Sequence, residues 1–124
     1  MTTERTAELV RAYYDSWKGG AERFDEAKVR GVLMPKLTFE SPLSRREDAT
    51  ALIEALARFS KTLKSVNFLQ TIAIGDEAAV IYDCELTAPM ERLRCAEFFR
   101  VEGDRIATIR LVFDATEYRR AGKG

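Results

Sequence analysis

The chain has 124 residues, 46% of them hydrophobic, enough for one domain with its own core and too few for two. Its 20 basic and 20 acidic residues cancel and are scattered, which argues against nucleic acid or a charged membrane surface as partner and points to a small molecule or another protein. There is no histidine, and with Cys84 and Cys95 as the cysteines no zinc site can be assembled, so no metal or cofactor is expected and acid–base work falls to carboxylates, Tyr and Lys.

No apolar run approaches the ~20 residues of a membrane-spanning helix, and "MTTERTAELVRAYY" lacks the order of a signal peptide, so a cytoplasmic location is expected. Residues 4 to 18 set Thr6, Leu9, Val10, Tyr13, Tyr14 and Trp17 on one helical stripe, which Gly19 and Gly20 end. Asp25 then caps a short second helix, with Phe24 and Val29 spaced as a hydrophobic staple and Pro35 closing the segment. "KLTFES" alternates Leu37, Phe39 and Ser41 against Thr38 and Glu40, a short strand stopped by Pro42.

Ser44 to Glu47 has capping-box spacing before a third helix that carries Ala49, Leu52, Ile53, Leu56, Phe59, Ser60 and Leu63. Arg45 and Arg46 fall at its start, where solvated charge is the ordinary reading and attraction of an anionic ligand the alternative. From residue 65 the period is two, and the turn signals "GDE", "APME" and "EGDR" divide the remainder into four strands.

Opposing these strands across their turns pairs Ile72 with Val80, Gln70 with Tyr82, Cys84 with Cys95, Tyr82 with Glu97, Glu85 with Arg94, and Ile109 with Glu97. One face then collects Val66, Phe68, Gln70, Ile72, Val80, Tyr82, Cys84, Leu86, Leu93, Cys95, Glu97, Phe99, Ile109, Leu111 and Phe113. The expected fold is α+β: three N-terminal helices packed in the concavity of a curved, mainly antiparallel sheet, a cone-shaped, cystatin-like barrel forming a single domain over residues 4–120. The opposite face mixes Asp83, Glu85, Arg94, Arg100 and Arg110 with Ile81, Phe98 and Val112, a composition that suits a homodimer interface. Cys84 and Cys95 are read as free, buried thiols.

Glu97 is the residue out of character. A carboxylate on an apolar face must be paired, reached by water, or held protonated, and no Lys or Arg shares that face in this register. Desolvation would keep it neutral and able to donate a hydrogen bond, with Tyr13 on the first helix as a second donor and Gln70 and Tyr82 completing a polar row.

The order of elements, the "YYDSWKGG" helix end, the "LTFESP" strand and the "EFFRVEGDRIATIRLVFD" hairpin resemble the nuclear transport factor two-like superfamily, especially its SnoaL-like and ketosteroid-isomerase-like branches. In steroid isomerases of this fold a helix-one Tyr and a protonated acid on the penultimate strand form an oxyanion hole; the resemblance lays Tyr13 and Glu97 on those positions as the catalytic pair. Ser41 stands where the base, an Asp before a Pro, would be, and a hydroxyl with no partner base cannot abstract a carbon-bound proton. Set against the limonene-epoxide hydrolases, Leu111 and Ile81 fall where an acid and an arginine are needed; against the polyketide cyclases, Asp114 is the available last-strand acid.

The resemblance therefore implies a domain that binds a small apolar or phenolic or carbonyl ligand, lined by Trp17, Phe39, Ser41, Phe59, Phe68, Gln70, Tyr82, Phe99, Ile109, Leu111 and Phe113, with Tyr13 and Glu97 as the hydrogen-bonding pair. The alternatives are an isomerase, cyclase or dehydratase in which that pair stabilises an enolate while Glu40, Asp114 or the substrate manages the proton, and a non-catalytic dimeric interaction domain.

Overall fold

The computed structural model describes residues 2–123. Its helices are α1 (Thr3–Asp15), α2 (Glu26–Val32), α3 (Ala49–Ser60) and α4 (Thr116–Lys123), and its strands β1 (Leu33–Glu40), β2 (Arg45–Arg46), β3 (Leu63–Ile74), β4 (Glu77–Leu86), β5 (Arg92–Glu102) and β6 (Arg105–Val112). The strands form one sheet in the order β2-β1-β6-β5-β4-β3, antiparallel except where β1 lies parallel to β6. This is the expected α+β architecture, with helices packed on one face of a curved, open sheet.

Each of α1, α2 and α3 starts where a side-chain oxygen can take up a free backbone N–H. Thr2 accepts from Arg5 N at 3.1 Å, Asp25 from Lys28 N at 3.0 Å and Asp48 from Ala51 N at 2.8 Å. The third of these corrects the expected capping box: Asp48, not Ser44, opens α3, because Glu47 is drawn outward to Arg45 at 3.2 Å. The preceding arginines are strand rather than helix. Gly20, at φ +86°, turns the chain after α1 in a conformation closed to most side chains.

The stripe of α1 is buried as expected, with Leu9, Val10, Tyr13, Tyr14 and Trp17 all in the core. At its start α1 is tied to two hairpin tips: Thr6 Oγ1 donates to Gly75 O at 2.6 Å, Gly75 N donates to Thr3 Oγ1 at 2.9 Å, and Arg5 reaches Asp104 at 2.7 Å.

The face assignment holds on β4, β5 and β6, but the partners differ from those expected. Cys84 pairs with Leu93, Tyr82 with Cys95 and Val80 with Glu97, so β5 has slid two residues along β4. A slide of two keeps every side chain on its own face. Arg94 accordingly meets Asp83, at 2.7 and 2.8 Å, rather than Glu85. Leu111, not Ile109, stands opposite Glu97, because the β5–β6 turn is the two-residue Gly103-Asp104 and a bulge lies between Arg100 and Val101.

On β3 the tip half faces the other way. Ile74 pairs with Glu77 across a two-residue turn, and an irregularity between Phe68 and Gln70 restores the expected facing only from Phe68 backwards. Gln70 therefore stands opposite outward-facing Ile81, and Ile72, 51% exposed, also leaves the inner face. Helix α4 was not expected; it returns the chain over the sheet end, with Tyr118 packed edge-on against Phe113 at 5.7 Å.

Candidate functional site

Between the helices and the inner face of the sheet lies a cavity of about 270 Å³. Tyr13 from α1 and Trp17 just after it, Phe39 and Ser41 from β1 and the turn after it, Phe59 from α3, Tyr82, Glu97 and Leu111 from the sheet, and Phe113 just past β6 all line it. Its walls are predominantly apolar, the ordinary character of a small-molecule pocket.

Four residues expected around a ligand lie elsewhere. Gln70 is turned outward by the irregularity in β3, and Phe68, next to that irregularity, packs against Tyr14 in a second cleft between α1 and β3. Phe99 and Ile109 are wholly buried beneath the cavity wall, where Phe99 meets Tyr13 and Tyr14 edge-on at 5.4 and 5.7 Å. They are core.

Glu97 is 3% exposed and points inward from the middle of β5. Its Oε1 accepts from Tyr14 Oη at 2.7 Å and from Tyr82 Oη at 2.8 Å. Tyr82 reaches it from the neighbouring strand, diagonally across the Tyr82–Cys95 and Val80–Glu97 pairs. Tyr14 reaches it from α1, a bond the sequence did not anticipate, while Tyr13, the expected second donor into the pocket, lies in the cavity wall. Both tyrosines are buried, but Tyr14 is the one turned toward Tyr82, at 5.2 Å between ring centroids, while Tyr13 is turned toward Trp17 and the cavity.

With both phenols on Oε1, the second oxygen is left to the cavity that Glu97 lines. Burial pushes the Glu97 carboxyl up to about 7 from an ordinary 4.5, and the hydrogen bonds from Tyr14 and Tyr82, which favour the charged form, hold it from going higher. Near neutrality Glu97 thus exists in both protonation states. Burial, reinforced by the Glu97 charge, raises the phenols of Tyr13, Tyr14 and Tyr82, so all three are neutral donors.

The other acids considered for proton transfer are committed elsewhere. Glu40 pairs with Arg110 at 2.9 Å and Arg45 at 3.4 Å, and Asp114 accepts from Thr116 Oγ1 at 2.6 Å. Among the described residues Glu97 is the one carboxylate lining the cavity. Ser41 lines it too, but its Oγ accepts from Leu43 N and Ser44 N, both at 3.2 Å, and so shapes the turn after β1.

Of the wall residues not expected as ligand neighbours, Tyr118, Cys95 and Arg46 carry polar or reactive groups, and Arg46 enters the sequence reading, with Arg45, only as an attractor of anions at a helix start. Cys95 was already on the inner face, and its adjacency to Glu97 was the available signal. Tyr118 needed the unforeseen α4. Arg46 needed the recognition that "SRRE" contains a strand, since its pairing opposite Phe39 turns it inward.

No helix among the described residues is long and apolar enough to cross a membrane. Among curated proteins none matches the sequence. The structure is similar to a solved protein of Kribbella flavida, 25% identical with a TM-score of 0.81 over 94% of this chain and 92% of that one. It also resembles a de novo designed protein with a curved β-sheet, 16% identical with a TM-score of 0.82 over 99% and 96% of the two chains. A candidate ketosteroid isomerase from Kribbella flavida is 23% identical, with a TM-score of 0.70 over 90% of this chain and 79% of that one. The last two likenesses concern the fold alone, and a designed chain among them underlines that chemistry resides in the side chains a fold carries. The model of the SnoaL-like domain matches residues 10–109, and the chain belongs to that family.

Proposed function

We propose that the protein binds a small, mostly apolar molecule in the cavity beneath α1, and that Glu97 anchors a polar atom of that molecule through Oε2. The observation that carries this reading is a buried carboxyl whose two tyrosine donors both occupy Oε1. In its protonated form Glu97 donates to a ligand carbonyl, with Tyr13 as a second neutral donor in the same wall. The lack of a second carboxylate in the wall, among the described residues, favours binding over catalysis.

The test is an acceptor-only ketone, 2-acetylnaphthalene, titrated by fluorescence. Affinity should fall as pH rises through about 7, because the ionised carboxylate has no proton to donate. Glu97→Gln, whose amide nitrogen would occupy the place of Oε2, should bind without that pH dependence, and Glu97→Leu should bind at least about tenfold more weakly. Unchanged affinity in Glu97→Leu would overturn the reading.

One observation supports a second reading: a carboxyl near 7 is suited to carry a proton at neutral pH. In that case Glu97, rather than Glu40 or Asp114, moves the proton of an isomerase, cyclase or dehydratase. The same ketone in deuterated water distinguishes the two, since methyl hydrogen exchange faster than buffer, and absent in Glu97→Gln, belongs only to the enzyme. We also infer a cytoplasmic homodimer through the outer sheet face, a reading supported by exposed Ile72, Ile81 and Val112 beside ordered charges. Sedimentation of the purified protein at two concentrations tests the pairing.

A further inference from the structure

Arg45 and Arg46 are neighbours on β2, yet their surroundings differ completely. In the antiparallel β1–β2 pair, Arg45 stands opposite Glu40 and Arg46 opposite Phe39. Arg45 therefore faces outward and is paired with Glu40 at 3.4 Å and Glu47 at 3.2 Å. Arg46 follows Phe39 inward and lines the cavity. Among the described residues it makes no ion pair, and its Nε is sealed from solvent without an acceptor.

A guanidinium N–H left in an apolar wall with nothing to bond carries an uncompensated desolvation cost. Arg46 belongs to the wall of a cavity whose single carboxylate, among the described residues, is Glu97, on a different strand and held by Tyr14 and Tyr82. The Arg46 edge of the wall therefore lacks an acceptor and a negative charge, which a ligand can supply.

From this we infer that the ligand carries a carboxylate, held by Arg46 at the β2 edge of the cavity, with its apolar body running toward Glu97. The planar, forked guanidinium matches a carboxylate better than a compact anion. The two polar groups are well separated, because β2 and β5 are three places apart in the sheet, roughly 14 Å at ordinary strand spacing and less across a concave face. A ligand carboxylate at Arg46 thus avoids the acid at the other end. The inference rests on the binding reading above and adds to it the class of molecule, an apolar monocarboxylic acid.

The experiment is calorimetric titration of the purified protein with a matched pair of probes, 4-phenylbutyrate and its neutral amide, at pH 6. The wild type should prefer the carboxylate by roughly tenfold or more, the usual advantage of a charge-assisted contact. Arg46→Met should bring the ratio of the two affinities to near one, and Arg46→Lys, which keeps the charge but loses the fork, should retain part of it. Thermal scans of both variants verify that each is folded, and the lysine variant carries the test if the methionine variant is not. A wild-type ratio near one, or a ratio that survives Arg46→Met, would overturn the carboxylate assignment while leaving the pocket intact. Binding of neither probe, with 2-acetylnaphthalene also unbound, would bring down the binding reading and this inference with it.

Discussion

Neighbouring residues on β4 and β5 solve the problem of charge in opposite ways. Outward, Asp83 and Arg94 neutralise each other in a two-pronged ion pair, and Glu77 and Arg100 or Glu40 and Arg110 repeat the device along the sheet. Inward, one residue from Asp83 on β4 and three from Arg94 on β5, Tyr82 and Glu97 meet with no cation between them. The outer pairs neutralise their own charge and reach water through at least one partner, whereas the inner carboxyl has traded hydration for two phenol hydrogen bonds and a raised proton affinity. A protein tolerates the second arrangement at a cost to its own stability, and such a cost is commonly met at sites that serve a ligand.

The comparison can be broken first at the packing beneath the site. Phe99, wholly buried against Tyr13 and Tyr14, should cost about 3–5 kcal/mol on truncation to Ala, whereas Phe98, on the outer face of the same strand, should cost well under half of that in the same urea titrations. Equal losses would mean that the two faces are packed alike.

Next in size is the pH dependence. The folded-state value of Glu97, about 7, lies above its ordinary 4.5, so between those values the native protein holds a proton that the unfolded chain releases. Its stabilising contribution is complete below pH 4.5 and is lost as pH rises through 7. Relative to wild type, Glu97→Gln should therefore gain about 3 kcal/mol between pH 4.5 and pH 8 in chemical denaturation, and a flat difference would contradict a buried, unpaired acid.

Tyr14→Phe should cost about 1–2 kcal/mol, and more above pH 7 where the lost hydrogen bond served a charge. Tyr13→Phe, which removes no bond to Glu97, should leave that pH profile unchanged. Smallest of all, Glu77→Gln should leave the melting temperature within the scatter of repeated scans at moderate salt, because its pair with Arg100 is exposed on both sides and contributes little.

Much of this was legible in the residues. Period-two alternation put Glu97 and Tyr82 on one face of β5 and β4, and a two-residue slip in pairing could not disturb that. The choice between Tyr13 and Tyr14 was not legible, since both belong to one helical stripe and only the packing of α1 on the sheet decides which phenol meets the acid. The tip of β3 was misread because a bulge leaves no mark in a hydrophobic pattern that stays apolar on both faces, as Leu69, Ile72 and Ile74 do. Arg46 was hidden by a two-residue strand, too short for any periodicity to announce itself.

The tethering of α1 has a reach beyond the residues that make it. Thr3, Arg5 and Thr6 fasten the helix at one end to the turns at Gly75 and Asp104, while Tyr13, Tyr14 and Trp17 sit at the other. At 1.5 Å per residue the distance from Arg5 to Tyr14 is about 14 Å, so the contacts that fix the start of the helix lie well away from the aromatic residues at its end. Substitutions in two surface turns that never touch a ligand can thereby bear on how the aromatic end is seated over the cavity.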